Sequence, residues 1–301
     1  MRIYASDQAH FSIARALDLL GFPTETLRLV PADDAFRLRA DAVADAVASD
    51  RAAGLLPLAI AAVAGSTNTG SVDDVPALAD LAEREDLWLH VDAAYGGAAR
   101  LSPRSADRVP GLDRADSVTI DPHKWFFQAY DIGALVVRHR EDLLTTFHRA
   151  PEYYRHPSPE EEPLHWYQYA MEGTRRFRAL KLWMSWKHLG TRGLAALVER
   201  NMDLTDHIVG RCRELGFEVA PADPELSVVC FRWVPAGATP EETDALQDRL
   251  QRALEVSGAG WVSTTTLRGR RYLRAGIVNY LSTPADADRV LETILAAARQ
   301  A

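Results

Sequence analysis

The first half of the chain switches repeatedly between two rhythms of apolar residues. In "AHFSIARALDLLG" (9 to 21) they recur every three or four positions, the spacing of one helix face, and Gly21 closes the run as a C-terminal cap. "TLRLVP" reads as a strand, "RADAVADAVASD" as a helix and "LLPLAIAAVAG" as a strand apolar on both faces. After the turn-rich "STNTGS", the helix "VDDVPALADLAERED" leads into the strand "LWLHVD"; "SVTID" and "GALVVR" supply two more strands. Fully apolar strands separated by helices predict an α/β fold with a mainly parallel sheet. Ligands of such sheets sit beyond the carboxyl ends of the strands. Asp92, Lys124 and the "GSTNTG" loop all fall there.

From about residue 148 the texture changes. "HRAPEYYRHPSPEEEP" holds four prolines and clustered charge, which predicts a mobile loop over 148–163. Helices are expected over about 176–189 and 191–214, then the short strands "FEVA" and "SVVCFRW". A helix at 239–256, the strands "GWVSTTTL" and "RYLRAGIV" and a closing helix at 284–299 complete a small α+β unit. The expected division is a large domain over 1–180 and a small C-terminal domain over 181–301.

Composition narrows the partners. The 301 residues are 47% hydrophobic, enough for a sizeable core, and carry a net charge of −8. No basic block stands out, which argues against a nucleic-acid or anionic-membrane partner. "MRIYASDQAHFS" has no basic region followed by a long apolar one, so no secretory leader is read there. The longest apolar stretch, "GLLPLAIAAVAG", contains Pro57 and is too short to span a bilayer. Cys212 and Cys230 lack metal-site or CxxC spacing and read as reduced core thiols of a cytoplasmic protein.

Four features could carry chemistry. In "DPHKW" (121–125) Lys124 is a candidate Schiff-base lysine, because an imine needs an unprotonated amine and desolvation favours one; the alternative is a surface lysine on a loop. Asp92, in "HVDAAYGG", could pair with a protonated heterocyclic nitrogen or simply cap a helix. "GSTNTGS" offers backbone N–H groups and hydroxyls to an anion but lacks a P-loop lysine. His10 stands at a helix start, where a capping role is equally open. A metal pair between "HVD" and His123 lacks a third ligand at suitable spacing.

"YASDQAH", "GSTNTGSVDD", "LWLHVDAAYGG" and "DSVTIDPHKW", in that order, resemble the pyridoxal-phosphate-dependent group II amino-acid decarboxylases, the aromatic branch most closely. The resemblance continues through "EGTRRFRALKLWMSWKHLGTRGL" and "SVVCFRW" to "YLRAGIVNYLST". It implies the fold type I of PLP-dependent transferases, with pyridoxal 5'-phosphate (PLP) covalent at Lys124. By the same likeness Asp92 would hold the pyridine nitrogen, His10 would stack on the ring, and Thr67 and His123 would lie beside the cofactor. Tyr153 matches the tyrosine that protonates carbon after CO2 leaves; phenylalanine in that place shifts relatives toward aldehyde. Asp121 stands where some relatives carry an asparagine that touches the phosphate. The implied activity is decarboxylation of an L-amino acid, an aromatic one, by a homodimer; the alternatives are an aldehyde synthase, an aminotransferase or a non-catalytic remnant. Family members also carry a long segment before the motif that here begins at Tyr4. The resemblance therefore implies a large domain incomplete at its N-terminus: a truncated product, or a part that needs a partner chain.

Overall fold

The computed structural model describes residues 1–149 and 165–300. The apolar run at 57–63 is strand β3 (Pro57–Val63), near the centre of a six-stranded sheet. Around it lie β1 (Arg2–Ser6), β2 (Leu27–Val30), β4 (Trp88–Asp92), β5 (Ser117–Ile120) and β6 (Ala134–Val137), in the order β2-β1-β3-β4-β5-β6. All neighbours pair in parallel except β5 and β6. The expected α/β class is therefore observed, with one antiparallel edge.

Strand β1 is absent from the sequence reading. Its five residues, "RIYAS", are too few to display a period, and its place is set by neighbours on both sides, Ile3 opposite Leu27 and Tyr4 opposite Ile60. Helices α1 (Ser12–Leu19), α2 (Ala40–Ala52) and α3 (Val75–Glu85) make the crossovers. Because the chain steps from β1 to β2 on one side and then to β3 on the other, the sheet reverses direction between β1 and β3. That reversal opens a crevice at the carboxyl ends of those two strands.

Two cores follow. The first packs Tyr4, Ile60, Leu78, Leu89 and Trp125 between the sheet and its helices, and reaches Val198, Met202 and Leu226. The second packs Leu204, Ile208, Phe231, Leu250, Leu273 and Ile294. It lies under the antiparallel sheet β7-β8-β10-β9, made of β7 (Glu218–Val219), β8 (Val228–Arg232), β9 (Ser263–Leu267) and β10 (Arg270–Gly276). Helix α4 (Arg140–Phe147) follows β6; α5 (Ala179–Leu215) contributes to both cores, so the change of core falls between Met202 and Leu204, inside one helix. The break expected near residue 190 is real, since Gly190 leaves the helical region at φ 67° and ψ 175°. Helices α6 (Pro240–Ser257) and α7 (Pro284–Ala298) each begin with a capping box, Thr239 with Glu242 and Thr283 with Asp286, and with proline in the first turn.

Backbone contact is closest where β3 and β4 end. A Cβ on Gly96 would lie 2.2 Å from the Ala64 carbonyl oxygen and 2.8 Å from Leu226 Cδ1. Neither a backbone oxygen nor a buried leucine can yield. Gly96→Ala should therefore lower stability by about 1–3 kcal/mol or more. Gly210, inside α5 with nothing within 4 Å of its Cβ position, should gain about 1 kcal/mol as alanine. Urea midpoints of the two variants should move in opposite directions; equal shifts would contradict this packing.

Candidate active site

Four loops leave the same edge of the sheet because their strands run parallel. The one after β1 carries His10, the one after β3 carries Thr67, β4 ends in Asp92, and β5 is followed by Asp121, His123 and Lys124. The Asp121 amide donates to the Ala94 carbonyl at 3.0 Å and binds the last two loops together. The stretch 121–128 is a tight coil, with Lys124 N–H on the Asp121 carbonyl at 2.8 Å and Gln128 N–H on that of Pro122 at 3.0 Å.

Lys124 follows β5 at the carboxyl edge of the sheet, its side chain 37% exposed and Nζ 3.0 Å from Asp121 Oδ2. That carboxylate also lies 3.7 Å from His123 Nε2. His123 Nδ1 faces the Ile132 backbone, 2.5 Å from its carbonyl and 3.3 Å from its amide. Asp121 thus faces both basic groups of its own motif. Asp92 does not cap a helix: its Oδ1 accepts from the Ala94 amide at 3.0 Å, closing a turn two residues on. His10 is engaged locally, its Nδ1 2.8 Å from Ser12 Oγ and accepting the Ser12 amide at 3.3 Å. Thr67 is exposed. The hydroxyls of its loop turn toward one another, Ser66 to Thr69 at 2.8 Å and Thr69 to Ser71 at 2.9 Å, and so are spent internally. Tyr153, and the neighbouring Tyr154, lie outside the described residues. Among the described residues no three His, Cys, Asp or Glu side chains are grouped to hold a metal ion.

The small sheet fixes these loops by contacts that sequence reading did not find. Arg274 of β10 donates from Nε to the Thr67 carbonyl at 2.8 Å, Thr265 of β9 donates to Asn68 Oδ1 at 3.0 Å, and Cys230 of β8 lies 3.1 Å from the Asn68 carbonyl. Tyr95 accepts the Ser227 amide at 2.6 Å and stacks on Trp125 with ring centres 4.9 Å apart. Trp125 in turn donates to Asn201 at 2.9 Å, and Asn201 to the Asn279 carbonyl at 3.0 Å. Tyr95, Trp125 and Arg274 all stand inside the motifs quoted above. Their partners are 76 to 207 residues away, a distance no local pattern spans.

A cavity of about 800 Å³ lies elsewhere, lined by Arg37, Asp73, Arg108 and Glu225 among others. Neither Lys124 nor Asp92 lines it. Asp73 is buried there, accepting from the Leu38 and Val63 amides at 2.7 Å each. Burial pushes its carboxyl up to about 7 against those two bonds, and the charge of Glu225 adds to the rise.

With this geometry in place, the class is defined. Residues 1–234 match the pyridoxal-dependent decarboxylase conserved domain, and the chain belongs to that family. It is 34% identical over 99% of its length to the aromatic-L-amino-acid decarboxylase of Bacillus atrophaeus, covering 62% of that protein. It is 32% identical over 99% of its length to the L-2,4-diaminobutyrate decarboxylase of Rhizobium meliloti, covering 60% of it. The crystal structure of Oryza sativa TDC with PLP and tryptamine matches with a TM-score of 0.94 at 31% identity, over 99% of this chain and 62% of that one. The fold is accordingly fold type I, and the chain spans about three-fifths of the length of these relatives.

A folded carboxyl at about 7 binds a proton that the unfolded carboxyl releases near the ordinary value of about 3.9. Its contribution to stability is complete below about pH 4 and is lost as pH rises through about 7. Asp73→Asn cannot accept both amides and should be less stable than wild type at low pH, by about 1 kcal/mol. The gap should narrow toward neutral pH, as read from urea midpoints; parallel pH profiles would contradict the burial argument.

Proposed function

We propose that this chain holds PLP on Lys124 and serves the decarboxylation of an L-amino acid to its amine and CO2, with an aromatic substrate. The observation that carries the reading is that Lys124, an amine, and Asp92, a carboxylate, stand on two loops joined by the Asp121–Ala94 bond at the carboxyl edge of the sheet. The residues suit the group: an amine can condense with an aldehyde, and a carboxylate can hold a ring N–H. PLP, when bound, supplies the aldehyde carbon and a ring that accepts the electron pair left by CO2.

Each residue then has a stated task. Lys124 would hold the aldehyde end of PLP, and Asp121, 3.0 Å from its Nζ, would stabilise a proton on that nitrogen. Asp92 holds the proton on the ring nitrogen as a charge-assisted partner. Because a carboxylate beside a phosphate dianion would be repelled, the direction of Asp121 toward Lys124 and His123 supports a role on the amine rather than on the phosphate. His10 would pack on the ring face, with Thr67 and His123 at its border. Tyr153 would protonate the carbon that loses CO2.

An aromatic substrate draws its support from the relative in Bacillus atrophaeus, and a homodimer from the exposed Trp183 and Met184 of α5, which a second subunit would cover. Cys212 and Cys230 are buried and unpaired, and burial pushes both thiols up to about 12, which suits a reducing cytoplasm. Among the described residues no helix is long and apolar enough to cross a membrane.

Borohydride reduction of the chain with PLP should leave the pyridoxyl group on Lys124 in a peptide map, and Lys124→Ala should lose it. Labelling at Lys181 or Lys187 instead would overturn the assignment. In the loaded protein, Asp92→Asn should cut amine formation roughly a hundredfold or more with the fold intact. Near-normal turnover would reduce Asp92 to a turn residue. Tyr153→Phe should lower amine and raise aldehyde, measured side by side by chromatography; an unchanged product ratio would remove Tyr153 from the reaction.

A further inference from the structure

Behind Asp92, one face of the sheet carries a row of polar side chains that the reading above leaves without a role. Side chains two apart on a strand share a face, so Trp88, His90 and Asp92 of β4 point the same way. On β5, Ser117 stands opposite His90 and Thr119 opposite Asp92. Both ring nitrogens of His90 are engaged: Nδ1 lies 2.9 Å from Ser117 Oγ and Nε2 3.3 Å from Thr119 Oγ1. Ser117 Oγ also accepts the Trp88 indole N–H at 2.9 Å. A neutral imidazole suits this setting, one nitrogen donating and the other accepting between two hydroxyls.

The charges around the ring are few. The neighbour on β3 is Ala61, those on β5 are the two hydroxyls, and Asp92 is the charged group on β4. Burial pushes His90 below its ordinary value, and the Asp92 carboxylate pulls the other way. The two groups therefore sense each other. A proton on His90 would place a cation beside the carboxylate that is meant for a cationic ligand nitrogen.

We propose that His90 is a positioning residue for Asp92: held neutral between Ser117 and Thr119, it leaves the carboxylate's charge unshared for the protonated ring nitrogen of PLP. The inference rests on the assignment of Asp92 given above. It predicts competition at acid pH, where a protonated His90 takes part of the charge that the ligand uses. His90→Gln keeps a donor and an acceptor for the two hydroxyls but cannot take up a proton. Thr119→Val removes the hydroxyl that joins the ring to the position opposite Asp92.

The test measures PLP affinity against pH for the 301-residue chain and its variants. As pH falls from neutral to well below the ordinary histidine value of about 6.5, wild type should lose at least about fivefold more affinity than His90→Gln, the lower end for coupled sites. Thr119→Val should disturb the wild-type profile while His90→Gln, Thr119→Val behaves like His90→Gln alone. Independently of any cofactor, the ring NMR signals of His90 should titrate at lower pH in Asp92→Asn than in wild type. Superimposable affinity profiles, or a His90 titration untouched by Asp92→Asn, would overturn the proposal. If Asp92→Asn leaves PLP affinity unchanged at neutral pH, the failure lies instead with the assignment of Asp92.

Discussion

One backbone hydrogen bond, from the Asp121 amide to the Ala94 carbonyl, sets the relation between the loop that carries Asp92 and the loop that carries Lys124. Side chains on separate loops keep a fixed separation only if the loops are tied, and a backbone pair is a tie that side-chain changes seldom remove. Everything proposed for the site uses this constraint. A ligand that meets Lys124 at one end and Asp92 at the other needs the two held apart by the length of its ring, with little freedom to drift. The close approach of Gly96 to Ala64 adds a second constraint, pressing the β4 loop onto the end of β3.

The small sheet is the other half of that rigidity. Arg274, Thr265 and Cys230 hold the loop of Thr67, Tyr95 reaches Ser227, and the indole of Trp125 is satisfied by Asn201. Two of these partners, Ser227 and Asn201, are buried, and losing either bond costs the desolvation of the orphaned group. A substitution in β8 or β10, far from Lys124 in the chain, is therefore expected to be felt at the site. The two cores also share α5, so neither can move without the other along that helix.

Much of the fold was legible in the sequence because its signals are local. The fully apolar 57–63 run reads as an inner strand, and the break expected near residue 190 and the helices expected over 239–256 and 284–299 are observed. Strand β1 was not legible, since five residues without alternation become a strand only when β2 and β3 flank them. Asp92 and Lys124 stood out for where they fall, at strand ends, and through the resemblance of their motifs. The partners of Tyr95, Trp125 and Arg274 did not, because contacts across 76 to 207 residues leave no spacing to read. Nor did the inward turn of Ser66, Thr69 and Ser71, which a hydroxyl-rich loop in sequence makes look available to an anion.

The central claim is that Lys124 and Asp92 address the two ends of one PLP molecule. The most direct measurement is the 15N NMR shift of ring-labelled PLP bound to the chain, in wild type and in Asp92→Asn. The account predicts a pyridinium-like shift in wild type and a neutral-pyridine shift in the variant, with PLP still attached to Lys124 in both. The same shift in the two proteins, or attachment lost together with the carboxylate, would contradict it.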